Sequence, residues 1–213
     1  MRMFLYALLG VGLIAPTVLA RPVSYEGGTT LMLRSNGEFD SLHLHYSPRV
    51  DNSIGYKFED WVDEDFVVHA VQLNHLLKRW NQTESQGNLY LKSGLGVSKS
   101  GVQAFEDEWD EAGFVGFSAD WENRRFFTSY GSRYTHAGDF AGFFSQSARL
   151  GVAPYLGGYG DLHTWFMLHV DHMPEDDDPL KVTPLVRLFK GVHLVEAGVS
   201  DGGDFLLNYV LRF

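Results

Sequence analysis

Phe205-Leu206-Leu207-Asn208-Tyr209-Val210-Leu211-Arg212-Phe213 repeats every second residue. Phe205, Leu207, Tyr209, Leu211 and Phe213 share one face, opposite Leu206, Asn208, Val210 and Arg212. Successive side chains of a strand point to opposite faces, so this stretch reads as a strand with one apolar side. The same alternation runs upstream. Residues 87–98 set Leu89, Leu91, Leu95 and Val97 against Asn88, Tyr90, Lys92, Gly94 and Gly96. Residues 162–171 set Leu162, Phe166, Leu168 and Val170 against His163, Trp165, Met167, His169 and Asp171. Ser35-Asn36-Gly37, Pro48 to Asn52, Gly157-Gly158 and Asp201-Gly202-Gly203 supply turns between such runs.

Carried along the chain, the pattern predicts twelve strands: 29–35, 40–47, 53–61, 66–78, 87–98, 113–122, 125–135, 142–153, 161–173, 180–190, 191–200 and 204–213. Residues 99–112 are the one long polar break. There is no helical period and no linker, so a single all-β domain is expected over residues 21–213.

Composition narrows the class. The chain has 213 residues, a net charge of −10, no cysteine and 15% aromatics. The missing cysteine excludes a disulfide scaffold, a thiol nucleophile and a lipoprotein anchor. The acidic balance argues against nucleic acid as a partner. Residues 1–20 read as a secretory signal peptide. Arg2 precedes an apolar run from Phe4 to Ile14, and Val18 and Ala20 are small residues before a cleavage point at Ala20-Arg21.

Alternation alone fits a soluble periplasmic sandwich or lipocalin-like binder as well as a membrane barrel. The terminal pattern of Phe205, Leu207, Tyr209, Leu211 and Phe213 resembles the C-terminal signal of bacterial outer-membrane β-barrels. That resemblance implies an antiparallel up-and-down transmembrane β-barrel of about twelve strands, ten being the runner-up count. It also implies assembly by the outer-membrane barrel machinery through the last strand. Leu76-Leu77-Lys78-Arg79-Trp80-Asn81 and Thr183-Pro184-Leu185-Val186-Arg187-Leu188-Phe189 further resemble stretches of small proteobacterial envelope proteins, a group that implies no activity.

Two more features fit a membrane. Aromatic residues crowd the predicted strand ends: Tyr46, Trp61, Phe66, Trp80, Trp121, Phe126, Phe127, Tyr130, Tyr134, Phe143, Phe144, Tyr155 and Tyr159. Such rings suit the two bilayer interfaces as girdles. The connections also sort by charge. Odd-numbered ones carry Glu38 and Asp40, Asp63 to Asp65, Glu106 to Glu111, Asp139, Glu175 to Asp178, and Asp201 and Asp204. Even-numbered ones carry Arg49, Lys78, Arg79, Arg124, Arg125 and Lys190. With both termini in the periplasm, the acidic connections and the long break 99–112 would face outward.

If the apolar faces meet lipid, the other faces form a polar lumen. Asp120, Glu122, Arg133, Arg149, Arg187, Glu196 and Arg212 are then expected to pair in a network, because a buried unpaired charge is costly. A crowded lumen with narrow paths is expected, not an open pore. His43 and His45 share a strand face and form one candidate metal site; His163, His169 and Asp171 form another. A divalent or copper ion is the only cofactor these residues suggest. The Gly-x-Ser-x-Gly and His-Glu-x-x-His motifs are absent. His136 with Asp139, and Ser100, are the rim groups from which a lipid-modifying site could be built. The expected role is a monomeric envelope protein that binds or passes a small solute or cation, in contact with outer-membrane lipid and lipopolysaccharide.

Overall fold

The computed structural model describes residues 23, 25–101, 108–139, 141–158 and 160–213. The predicted signal segment, its cleavage point, Glu106, Asp107 and Tyr159 lie outside the described residues. Twelve strands follow in order: β1 (Thr29–Ser35), β2 (Phe39–Arg49), β3 (Asn52–Trp61), β4 (Phe66–Asn81), β5 (Ser85–Ser100), β6 (Trp109–Asn123), β7 (Phe126–Ala137), β8 (Ala141–Val152), β9 (His163–His172), β10 (Leu180–Lys190), β11 (His193–Val199) and β12 (Phe205–Arg212). Each pairs antiparallel with its chain neighbours, and β12 returns to pair with β1, closing the barrel. A two-sheet sandwich and a ten-strand count are both excluded by this closure.

The barrel is inverted relative to a soluble protein. Leu95 is 79% exposed, Phe205 75% and Leu150 63%, while Glu59 is 1% and Glu196 3% exposed. Val71, Leu73, Val115, Phe117, Phe166, Leu168 and Leu207 are also exposed. Soluble proteins rarely expose contiguous apolar patches above a few hundred Å². A closed sheet with an apolar outside and polar inside leaves no backbone edge unpaired, which is what a hydrocarbon solvent demands. The C-terminal strand follows the rule: Phe205 and Leu207 lie outside, Leu206, Asn208, Val210 and Arg212 inside.

The wall is uneven in height. Strands β4 and β5 have 16 residues each, whereas β1 and β11 have 7. A membrane strand needs only about 9–11 residues, so β4 to β6 project beyond the hydrocarbon layer. The predicted break 99–112 is correspondingly shorter. β5 pairs with β6 as far as Lys99 opposite Trp109, where the ammonium sits 6.0 Å from the indole centroid. The longest connection is instead 153–162, an even-numbered one between β8 and β9. The expectation that the longest loop falls at the acidic end is therefore corrected.

Candidate functional site

Closure brings all odd connections to one end of the barrel and all even ones to the other. The first is the acidic end, the second the basic end. At the acidic end Lys181 bridges Glu38 at 2.9 Å and Asp204 at 2.8 Å, tying two connections together. Burial pushes the Glu64 carboxyl above its usual range, and Asp63, Asp176 and Glu38 add to the shift.

The interior below this end begins with an aromatic cap. Trp61 stacks on Phe39 at 4.7 Å and meets Phe143 edge-on at 4.6 Å, with Phe66 and Met173 in the same cluster. Trp61, Phe66 and Phe143 are thus lumen residues, as is Phe127 against Trp165 lower in the barrel, and none is part of an interfacial girdle, which corrects the sequence reading. Their parity explains it. Trp61 pairs with Phe39 and Phe66 and shares the inward face of Lys57 and Glu59. Tyr46, Trp80, Trp121, Phe126, Tyr130, Tyr134 and Tyr155 do lie exposed.

Beneath the cap is a carboxylate centre. Arg133 of β7 donates through Nη1 and Nη2 to the two oxygens of Glu59 on β3, both at 2.6 Å. Lys57 adds a third contact at 2.7 Å. The Arg133 guanidinium also lies 3.9 Å from the Phe114 ring centroid. Gly94 makes room for that ring, because a Cβ there would overlap it. The Glu59–Arg133 bridge joins strands four apart, so it crosses the lumen instead of running along the wall.

A second centre gathers on β8, β10, β11 and β12. Glu196 receives Arg187 Nε and Asn208 Nδ2, each at 2.6 Å, and Arg149 Nη1 at 2.9 Å. Arg187 lies 4.7 Å above the Phe127 ring, which packs with Trp165. His169 joins Asp171 at 2.8 Å, and Arg149 Nε donates to His169 Nδ1 at 3.3 Å. The other expected lumen residues also face inward. Asp120 accepts Asn88 Nδ2 at 2.7 Å, Glu122 is buried, and Arg212 is buried opposite Thr30.

The candidate metal residues fall differently. The His43 and His45 rings are 4.6 Å apart and buried, with His43 Nε2 and both His45 ring nitrogens unpartnered. His163 does not join His169 and Asp171. Six residues of strand separate it, and its Nε2 sits 3.2 Å from the Gly158 carbonyl at the basic end. Among the described residues no three His, Asp or Glu converge. His136 is exposed on the outward face of β7, and no hydrogen bond joins it to Asp139.

Cavities lie toward both ends of the barrel. One of about 220 Å³ lies between the cap and the Glu59 centre, lined by Arg34, Lys57, Lys92 and Arg133 among others. One of about 730 Å³ lies at the basic end, lined by Glu84, Gln86, Glu122, Arg124, His163 and Trp165 among others. They share no lining residue. The sequence did not single out Arg34 or the aromatic cap; the Ser35-Asn36-Gly37 turn beside Arg34 drew the reading there instead.

A closed, inverted barrel with a chambered polar interior can be compared directly with solved structures. The chain shares the fold of a solved porin. The KdgM porin in complex with disordered oligogalacturonate matches with a TM-score of 0.50 and 8% identity, over 87% of this chain and 98% of that one. OccK8 (OprE) of Pseudomonas aeruginosa matches at 0.45 and 10%, over 82% of this chain and 57% of that one. OccK11 (OpdR) of the same organism matches at 0.43 and 10%, over 88% and 66%. At these identities the likeness concerns the fold alone. No protein-family model and no curated protein matches the sequence.

Proposed function

We propose that this chain is a monomeric barrel of the bacterial outer membrane that passes small solutes slowly through a constricted lumen. The observation that carries this reading is the inverted barrel itself. Its outside suits only lipid, and its polar inside holds cavities of about 220 and 730 Å³ that share no lining residue. The Glu59–Arg133 bridge and the aromatic cap are the two constrictions.

The acidic end faces the cell exterior in this reading. Its carboxylates hold divalent cations that bridge to lipopolysaccharide phosphates, an attraction that weakens with salt. The exposed edge of residues 205–213 during assembly is the segment offered to the barrel assembly machinery.

Planar-bilayer recording of the purified barrel tests the reading. The expected result is a small conductance that rises severalfold when Arg133→Ala removes the crossing side chain. No ion flux through either the natural chain or the Arg133→Ala variant would contradict it.

A further inference from the structure

The cavity of about 730 Å³ at the basic end falls within the size of small-molecule sites, about 300–1,000 Å³. Strand register sets part of its polar lining. Gln86 pairs with Asn81 on one side and with Glu122 on the other, so the three form a row across β4, β5 and β6. Neighbouring strands space such a row at about 4.8 Å. Asn81 reaches the row through an irregularity. The register of β4 against β5 shifts between Leu76 and Lys78. Without that shift Asn81 would share the outward parity of Leu73 and His75, both exposed. Bulges re-aim side chains in this way.

Another wall is the connection between β8 and β9, and it is fastened in place. Arg124 Nη2 donates to the Gly157 carbonyl at 3.2 Å, His163 Nε2 lies 3.2 Å from the Gly158 carbonyl, and the Tyr155 hydroxyl donates to the Leu162 carbonyl at 2.6 Å. Gln86 Nε2 donates to Asn81 Oδ1 at 2.5 Å, and Ser85 Oγ to Gln82 Oε1 at 3.0 Å. A lining held in advance lowers the ordering cost of binding.

The lining does not inherit the positive sign of its end. Among the described residues, Arg124 is the one basic residue of the even-numbered connections that lines it, beside Glu84 and Glu122. An anionic ligand would meet the two carboxylates, and a cationic one the guanidinium. Asn81, Gln82, Gln86 and Asn123 each carry both a donor and an acceptor. Trp165 and Phe189 supply an apolar side. The ligand that suits such a lining gives and takes hydrogen bonds at several points, carries no net charge and has an apolar face. Hydroxyl groups on a saturated ring meet all three conditions.

We propose that this cavity binds a neutral carbohydrate, its hydroxyls on the Asn81–Gln86–Glu122 row and its C–H face toward Trp165 and Phe189. The inference names a substrate class for the solute-passage reading and rests on that reading for its purpose, although binding needs no flux.

The test is calorimetric titration of the full folded barrel, in a detergent without a sugar headgroup. The probes are glucose, glucuronate and glucosamine, which share one ring and differ in charge. Saturable binding of glucose is expected, tighter than that of either charged sugar. The Asn81→Leu/Gln86→Leu double variant should weaken glucose binding at least tenfold. Asn81→Leu alone, at an exposed position, should weaken it at least threefold and serves if the double variant does not fold. Lys190→Gln, at the same end but outside the lining, should bind as the natural chain does. Heat-modifiable migration on a detergent gel confirms that each variant is folded. Absence of saturable glucose binding, equal or tighter binding of either charged sugar, or undiminished binding by the folded variants overturns the site. A barrel that conducts but binds no glucose defeats this inference alone. One that binds glucose but never conducts defeats the passage reading alone.

Discussion

Glu59 and Glu196 are both buried carboxylates held by two cations, yet they sit in different surroundings. Glu196 takes Arg187 and Asn208 from the two adjacent strands and Arg149 from three strands away, so two of its three donors run along the wall. Glu59 takes its bidentate partner from four strands away, beside a cavity that Arg34, Lys92, Glu38 and Asp171 also line. The first arrangement fastens a wall. The second spans a space and borders a cavity. One chemical motif thus serves cohesion in one half and obstruction in the other.

The largest effect should come from the saturated centre. Glu196→Ala leaves Arg149 and Arg187 facing each other without an anion and should cost about 3–5 kcal/mol, the usual range for breaking a buried pair. Urea unfolding of the barrel from lipid vesicles would measure it. Glu59→Gln keeps the shape and some hydrogen bonding, so its cost should be smaller, about 1–3 kcal/mol. It should also raise conductance severalfold, because Arg133 loses the charge that holds it across the lumen. Equal conductance in Glu59→Gln and the natural chain would erase the distinction between the two centres.

Lys57→Met should cost about 1 kcal/mol, since Arg133 still satisfies both Glu59 oxygens. The smallest effect belongs to Glu64, outside both centres. Its carboxyl is raised by burial, so its ionised form is disfavoured in the folded chain. Glu64→Gln should therefore stabilise slightly at neutral pH and gain nothing in acid, where the natural carboxyl is already protonated. Parallel unfolding curves at both pH values would show this as a difference that closes on acidification.

Alternation made the barrel legible because the strand period is two and lipid rewards one parity throughout. Asp120, Glu122, Arg133, Arg149, Arg187, Glu196 and Arg212 were assigned to the lumen by parity alone, and the structure places them there. Which of them pair was not legible. Glu59 and Arg133 are 74 residues apart, and their meeting depends on register accumulated around the wall. For Trp61, Phe66, Phe127 and Phe143, position along a strand suggests a girdle while parity points inward. His163 was grouped with His169 because parity gives the face but ignores height. Arg34 was passed over beside a turn, although it shares the inward face of Met32 and Thr30.

The account stands on the inverted barrel, and cell fractionation followed by detergent gels with and without heating tests it most directly. It predicts protein in the outer-membrane fraction whose unheated form migrates differently from the heated one. Protein found soluble in the periplasmic extract, with migration indifferent to heat, would contradict it.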